Sequence, residues 1–263
     1  MPDKRLVTPL VAWAAFAVVL LGAVVAWLVL DPGFRAGRQD ATVADMPQDE
    51  FDQRVRAYLL DNPEVIIEAV QRLEARQAAA EQTEAQAVIA ARADEIFRDP
   101  ASPVGGNPEG DVTMVEFFDY NCPYCRRVAP VMLDVEAADP ELRIVYKEFP
   151  ILGPGSEFAA RAALAAHRQD RYIAFHQALM RVAGKVGEDA VLTTAVELGL
   201  DVDRLKADME DPEIQAAIDR NLVLAEALRI NGTPGFVIGD EILRGAADFE
   251  TLQGFIERAR IPQ

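Results

Sequence analysis

The only two cysteines of the chain, Cys122 and Cys125, are separated by Pro123 and Tyr124 alone. The run before them, Thr113-Met114-Val115-Glu116-Phe117-Phe118-Asp119-Tyr120, is apolar and aromatic and reads as a buried strand. Residues 126–138 have helical composition, and Pro123 falls in the first helical turn, where its missing N–H costs nothing. Such an order allows one local path: a strand, a sharp turn, and a helix with both sulfurs at its mouth. A cysteine there meets unpaired N–H donors and the positive end of the helix dipole, and both favour the reactive thiolate. Thiol–disulfide exchange is the expected chemistry. Cys122 is expected to be exposed and to attack, and Cys125, one turn in and more buried, to resolve the mixed disulfide.

Other uses of the pair are weaker. A permanent disulfide across so short a loop gains little chain entropy. Structural zinc wants four ligands, yet there is no second Cys-x-x-Cys, and the two histidines, His167 and His176, lie in a distant helical stretch. No metal site is expected, and no cofactor beyond the redox-active Cys122–Cys125 pair itself. A Cu(I)-handling protein with two thiolate ligands is the non-enzymatic alternative, although the Met-rich or His-rich tracts of copper traffic are missing.

A second motif lies far downstream. Residues 231–243 read as a loop, a short apolar strand, a Gly239-Asp240 hairpin turn and a further strand. Pro234, at the first residue of a strand, is tolerated only at an edge or a special turn. By itself Thr233-Pro234-Gly235 is equally an ordinary type II turn.

Residues 103–113, the run Glu116-Phe117-Phe118-Asp119-Tyr120-Asn121-Cys122-Pro123-Tyr124-Cys125, residues 147–153 and Gly232-Thr233-Pro234 together resemble DsbA-like thiol–disulfide oxidoreductases. The likeness is greatest to the branch of copper-sensitivity-suppressor C (ScsC-like) proteins and related membrane-anchored bacterial homologues, and it covers about residue 49 to the C-terminus. It implies an α/β thioredoxin fold over residues 111–263, with a helical insertion at about 156–230. It also implies an oxidase or isomerase acting on cysteine-containing substrate proteins outside the cytoplasm. Pro234 is then expected to be cis, its loop packed on the Cys-x-x-Cys, with the Thr233 backbone free to pair with an extended substrate. Glu116 falls where the family keeps a buried acid, whose raised pKa would let it relay a proton to or from Cys125.

Two residues depart from the prototype oxidase, which has histidine where this chain has Tyr124 and valine where it has Thr233. A histidine stabilises a thiolate by charge and hydrogen bonding; a tyrosine offers at most a hydroxyl. Both differences imply a milder oxidant, suited to isomerising or reducing as well. Lys147 is read either as a counter-charge to Glu116 or as a solvated lysine. Arg126 and Arg127 are candidates for tuning the thiolate, Arg127 being the better candidate for a solvated position. His176 is read as a packing or capping residue.

Residues 10–30 carry no charge over twenty-one positions, ~30 Å as a helix and enough to cross a bilayer. Lys4 and Arg5 precede them, and Trp13 and Trp27 lie near the ends. The positive-inside rule puts residues 1–9 in the cytoplasm and the catalytic part in the periplasm of a bacterial inner-membrane protein. A cleaved signal peptide is the alternative, but the run is long and lacks a clear small-x-small site. An as yet unidentified membrane redox partner is expected. A net charge of −17 argues against nucleic-acid binding.

Between a linker at 31–48 and another at 99–110, which is rich in Pro and Gly, residues 49–98 form a helical arm. Asn62-Pro63 breaks it into a short helix and a long one running to about Phe97. Ile66, Leu73, Ala80 and Ala87 recur at heptad spacing, while the second seam holds Gln77 and Glu84, which makes a weak coiled coil. A homo-oligomer through the arm is expected, with a solvated spacer as its rival. Asp248 is expected to open the last helix, ending near Arg260.

Overall fold

A computed structural model of the protein describes residues 46–261. The expected membrane span at 10–30 and the cytoplasmic segment at 1–9 lie outside the described residues. Among those described, no helix is long and apolar enough to cross a membrane. The described residues divide into two compact units, 46–73 and 74–261.

In the first unit, α1 (Gln48–Asp61) buries no side chain, and α2 (Glu64–Ala91) begins after the Asn62-Pro63 break. The expected single long helix instead ends at Ala91, within the second unit, where α3 (Ala93–Phe97) follows a kink at Arg92. The kink turns the last helical carbonyls onto cations of the sheet. Glu95 O accepts from Lys147 Nζ at 2.7 Å, and Phe97 O accepts from Arg143 at 2.7 Å.

The second unit is built on five strands: β1 (Val104–Gly106), β2 (Val112–Phe118), β3 (Leu142–Glu148), β4 (Gly235–Ile238) and β5 (Glu241–Arg244). Their order is β1-β3-β2-β4-β5; β2 and β3 are parallel and the other pairs antiparallel. Residues 99–110, expected as a linker, therefore contain an edge strand. Pro103 and the paired glycines hide it from a reading of pattern, but Val104 faces Val145 and closes the open edge of β3. β4 and β5 form the expected hairpin. Gly239 adopts φ 60 in its turn, and a Cβ there would come within 3.0 Å of Ala259.

Central β2 is covered on both faces, which is why its run is almost wholly apolar. Alternation sorts its side chains. Val112, Met114 and Phe118 join the core beneath α4 (Pro123–Ala138), while Val115 and Phe117 pack with Ile89, Ile96 and Leu224 on the opposite face. α4 turns Cys125, Val128, Met132 and Val135 inward at helical spacing. Between β3 and β4 the helical insertion holds α5 (Pro154–His167), α6 (Tyr172–Arg181), α7 (Glu188–Glu197), α8 (Val202–Met209) and α9 (Pro212–Ala227). Asp248 caps α10 (Phe249–Ala259), its side chain accepting from Thr251 N.

Candidate active site

β2 hands the chain to α4 through Asp119, Tyr120 and Asn121, and this turn is tied from every side. Asp119 Oδ1 accepts from Asn121 N and Ser156 Oγ, both at 2.7 Å. Its Oδ2 accepts from Ile151 N and Leu152 N, both at 2.9 Å. The Asn121 amide exchanges two hydrogen bonds with the Val186 backbone, at 2.8 and 3.0 Å. Arg126 Nε donates to Tyr120 O at 2.7 Å, and Nη1 donates to Val182 O and Gly184 O. Arg126 thus holds backbone carbonyls of the turn and the insertion through Nε and Nη1, while its Nη2 is buried without a hydrogen-bond partner among the described residues.

Cys122 is the N-cap residue of α4, with Pro123 in the first turn. It is 4 % exposed rather than open at the helix mouth. The cause is the Thr233–Pro234 loop, whose peptide is cis and whose Thr233 O accepts from Cys122 Sγ at 3.2 Å. Cys125 is fully buried, as expected. The exposed member of the motif is Tyr124, at 52 %, with the Arg127 guanidinium 5.2 Å from its ring centre. Both cysteines are free thiols.

Beneath them sits Glu116, buried, its carboxyl raised from 4.5 to about 8 by desolvation. Burial first, and then the charge of Glu116, push the Cys125 thiol far up, while hydrogen bonds from the Asp119 backbone and the Thr233 side chain pull it partly back. Glu116 borders a cavity of about 500 Å³ between α4 and α6, lined also by Met132, Tyr146 and His176. Its cross-strand neighbour in register is Tyr146, whose hydroxyl is raised by burial and then by Glu116.

Lys147 is neither the counter-charge of Glu116 nor solvated. In the parallel β2–β3 pairing it lies opposite Phe117, so it points to the other face of the sheet. There it is fully buried, donating to Glu95 O and Ser102 Oγ at 2.7 Å each, with Asp99 Oδ2 at 3.5 Å. Burial lowers it to about 8 against the opposing pull of Asp99.

Sequence reasoning missed Asp119 and Glu148. Glu148 Oε1 accepts from Tyr172 at 2.7 Å and Tyr120 at 3.0 Å, and burial holds its carboxyl well above the usual range. Tyr120 also lies 3.3 Å from His176 Nδ1. His176 packs among Phe118, Tyr146 and Tyr172, and desolvation lowers it to about 3, so it is a neutral packing residue. A polar residue in a strand buried on both faces was the available signal for Glu148.

A free dithiol at a helix N-cap, covered by a cis-proline loop on a β-α-β sheet, defines a thioredoxin-like fold. Residues 113–257 match the DSBA-like thioredoxin domain, and the chain belongs to that family of thiol–disulfide oxidoreductases. Residues 48–80 match the copper resistance protein ScsC N-terminal domain, which places the chain in the ScsC-like branch. A thioredoxin-like oxidoreductase from Silicibacter pomeroyi DSS-3 is 54% identical, with 65% of this chain and 98% of that one covered, at a TM-score of 0.64. The catalytic domain of Proteus mirabilis ScsC is 30% identical, covering 66% of this chain and 97% of its own, at a TM-score of 0.61. The Na(+)/H(+) antiporter NhaA of Herminiimonas arsenicoxydans is 29% identical over 63% of this chain, which spans only 27% of the antiporter's length.

Proposed function

We propose that the protein is an extracytoplasmic oxidase and isomerase of protein disulfides, working through Cys122. The observation that carries this is the 3.2 Å contact between Cys122 Sγ and Thr233 O, with Cys125 and Glu116 stacked behind in the interior. In the oxidised enzyme a substrate thiolate attacks Cys122 Sγ, and the Cys122–Cys125 bond breaks. Cys125 leaves as a thiolate in an environment that disfavours its charge. Glu116, protonated below about pH 8, supplies the proton. A second substrate thiolate then attacks the substrate-side sulfur, forming the product disulfide and releasing Cys122. In the reduced enzyme Cys122 attacks a wrong disulfide, and Cys125 yields its proton to Glu116 in its ionised form, the minority form below about pH 8, as it resolves the adduct. Thr233 and Pro234 present the backbone edge on which an extended substrate lies. An unidentified membrane partner restores the redox state of the pair, and the apolar run at 10–30 supports anchorage in the inner membrane with this domain in the periplasm.

Association of copies through the arm belongs to the same proposal. Phe51, Tyr58, Ile66, Ile67, Val70 and Leu73 are between 38% and 60% exposed, an apolar surface suited to a second copy. Trapping tests the assignment of the sulfurs. Cys125→Ser should accumulate mixed disulfides with substrate proteins, and Cys122→Ser almost none; equal trapping by both would refute it.

A further inference from the structure

Resting on the oxidoreductase proposal, we infer that the groove beside Cys122 selects substrate segments bearing a carboxylate close to the reacting cysteine. The chain carries a net charge of −17, so a partner rich in acid should be repelled by most of its surface. The groove along the cis-proline loop is the local exception. It measures about 600 Å³, its walls include Tyr124, Thr233, Arg127, Arg229 and Arg244, and no Asp or Glu lines it.

The three arginines are not equivalent. Arg229 is paired with Glu84 at 2.7 Å, so much of its charge is already answered. Arg244 donates to Arg229 O and Leu228 O, both at 3.0 Å. Those carbonyls fix its guanidinium without cancelling its charge. Arg127 is exposed and lies over the Tyr124 ring, with no carboxylate partner among the described residues. Two cations, Arg127 and Arg244, thus line, together with Thr233 and Pro234, a groove that holds no acid of its own. A segment that brings its sulfur to Cys122 along the Thr233–Pro234 loop enters this groove and passes them. A carboxylate near the substrate cysteine reaches a guanidinium, whose planar fork suits it. A lysine at the same place is repelled.

Exposed pairs are individually weak, each altering affinity about twofold to fivefold. Glutamate and lysine neighbours should therefore differ by about tenfold in kcat/KM at low salt, less at high salt. The test uses the full chain in non-ionic detergent and three disulfide-bonded reporter peptides with Glu, Gln or Lys flanking the cysteine. The expected order is Glu above Gln above Lys, compressed in 0.5 M salt. Arg127→Gln should narrow the span and Arg127→Lys should retain it. Equal or reversed rates, or a span unchanged in both Arg127→Gln and Arg244→Gln, would overturn the inference while leaving the exchange activity standing. Absence of exchange even with the Gln peptide would overturn both.

Discussion

Glu116→Gln isolates the free energy of an ionisable group sealed under the dithiol. The carboxyl is raised from 4.5 to about 8 by desolvation, and each pH unit between those values corresponds to ~1.4 kcal/mol. Below pH 4.5 the acid is protonated in the folded and unfolded chains alike, and stability has its full value. As pH rises the unfolded chain ionises first, so stability falls until the folded carboxyl also ionises near pH 8. The accumulated loss is ~5 kcal/mol, undiminished by solvent screening because Glu116 is buried. Glutamine is neutral throughout and escapes this loss. Urea unfolding of the reduced wild type and Glu116→Gln, from pH 4 to pH 9, should therefore give stability curves that diverge by ~5 kcal/mol in favour of the variant. Far-UV circular dichroism is the suitable probe, since both tryptophans, Trp13 and Trp27, lie in the N-terminal run. Groups without a Glu116 contribution, Lys147 among them, cancel in the difference, whereas Glu148 and Cys125, which the charge of Glu116 helps to raise, shift with it. The variant should also exchange disulfides about 100-fold more slowly, having lost its proton donor. Parallel stability curves would refute the buried neutral acid.

Asp119→Ala strips four donors of their acceptor, and at ~1 kcal/mol or more for each the loss is about 4 kcal/mol. The melting temperature should fall by about 8 °C or more, and a shift below about 2 °C would show that Asp119 does not tie the loops together. The fragment 40–263 should be oligomeric by light scattering at tens of micromolar and should isomerise scrambled disulfides through its several active sites. A fragment beginning at Glu74 should be monomeric, keep dithiol oxidation and lose most isomerase activity. A monomeric longer fragment would sink both statements. Trimming to Asp99 is unsuitable, because it deletes Ile89 and Ile96 from the core and the Glu95 carbonyl that holds Lys147.

Local features of this protein were legible in its amino-acid order. The strand, dithiol and helix are contiguous; Gly239 and Asp248 each leave a signature in their immediate neighbours; the apolar positions around Glu116 point to its burial; and Pro234, ambiguous by itself, becomes legible only beside the dithiol motif. What depends on distant partners was not. Cys122 is covered by a residue 111 positions away. The direction of Lys147 follows from a parallel register that places it opposite Phe117, and composition says nothing of register. Arg126 and Asp119 draw their roles from loops of the insertion, and a three-residue edge strand between proline and glycine has no periodicity to read.

The reduction potential of the Cys122–Cys125 pair tests the central claim most directly. Tyr124 offers less support to a thiolate than histidine, while the position of Cys122 at the N-cap of α4 keeps the pair exchangeable. Equilibration with glutathione should give a value between roughly −270 and −120 mV, the interval from thioredoxin to the strong oxidase. A value below about −300 mV would mark an inert structural disulfide and contradict the account.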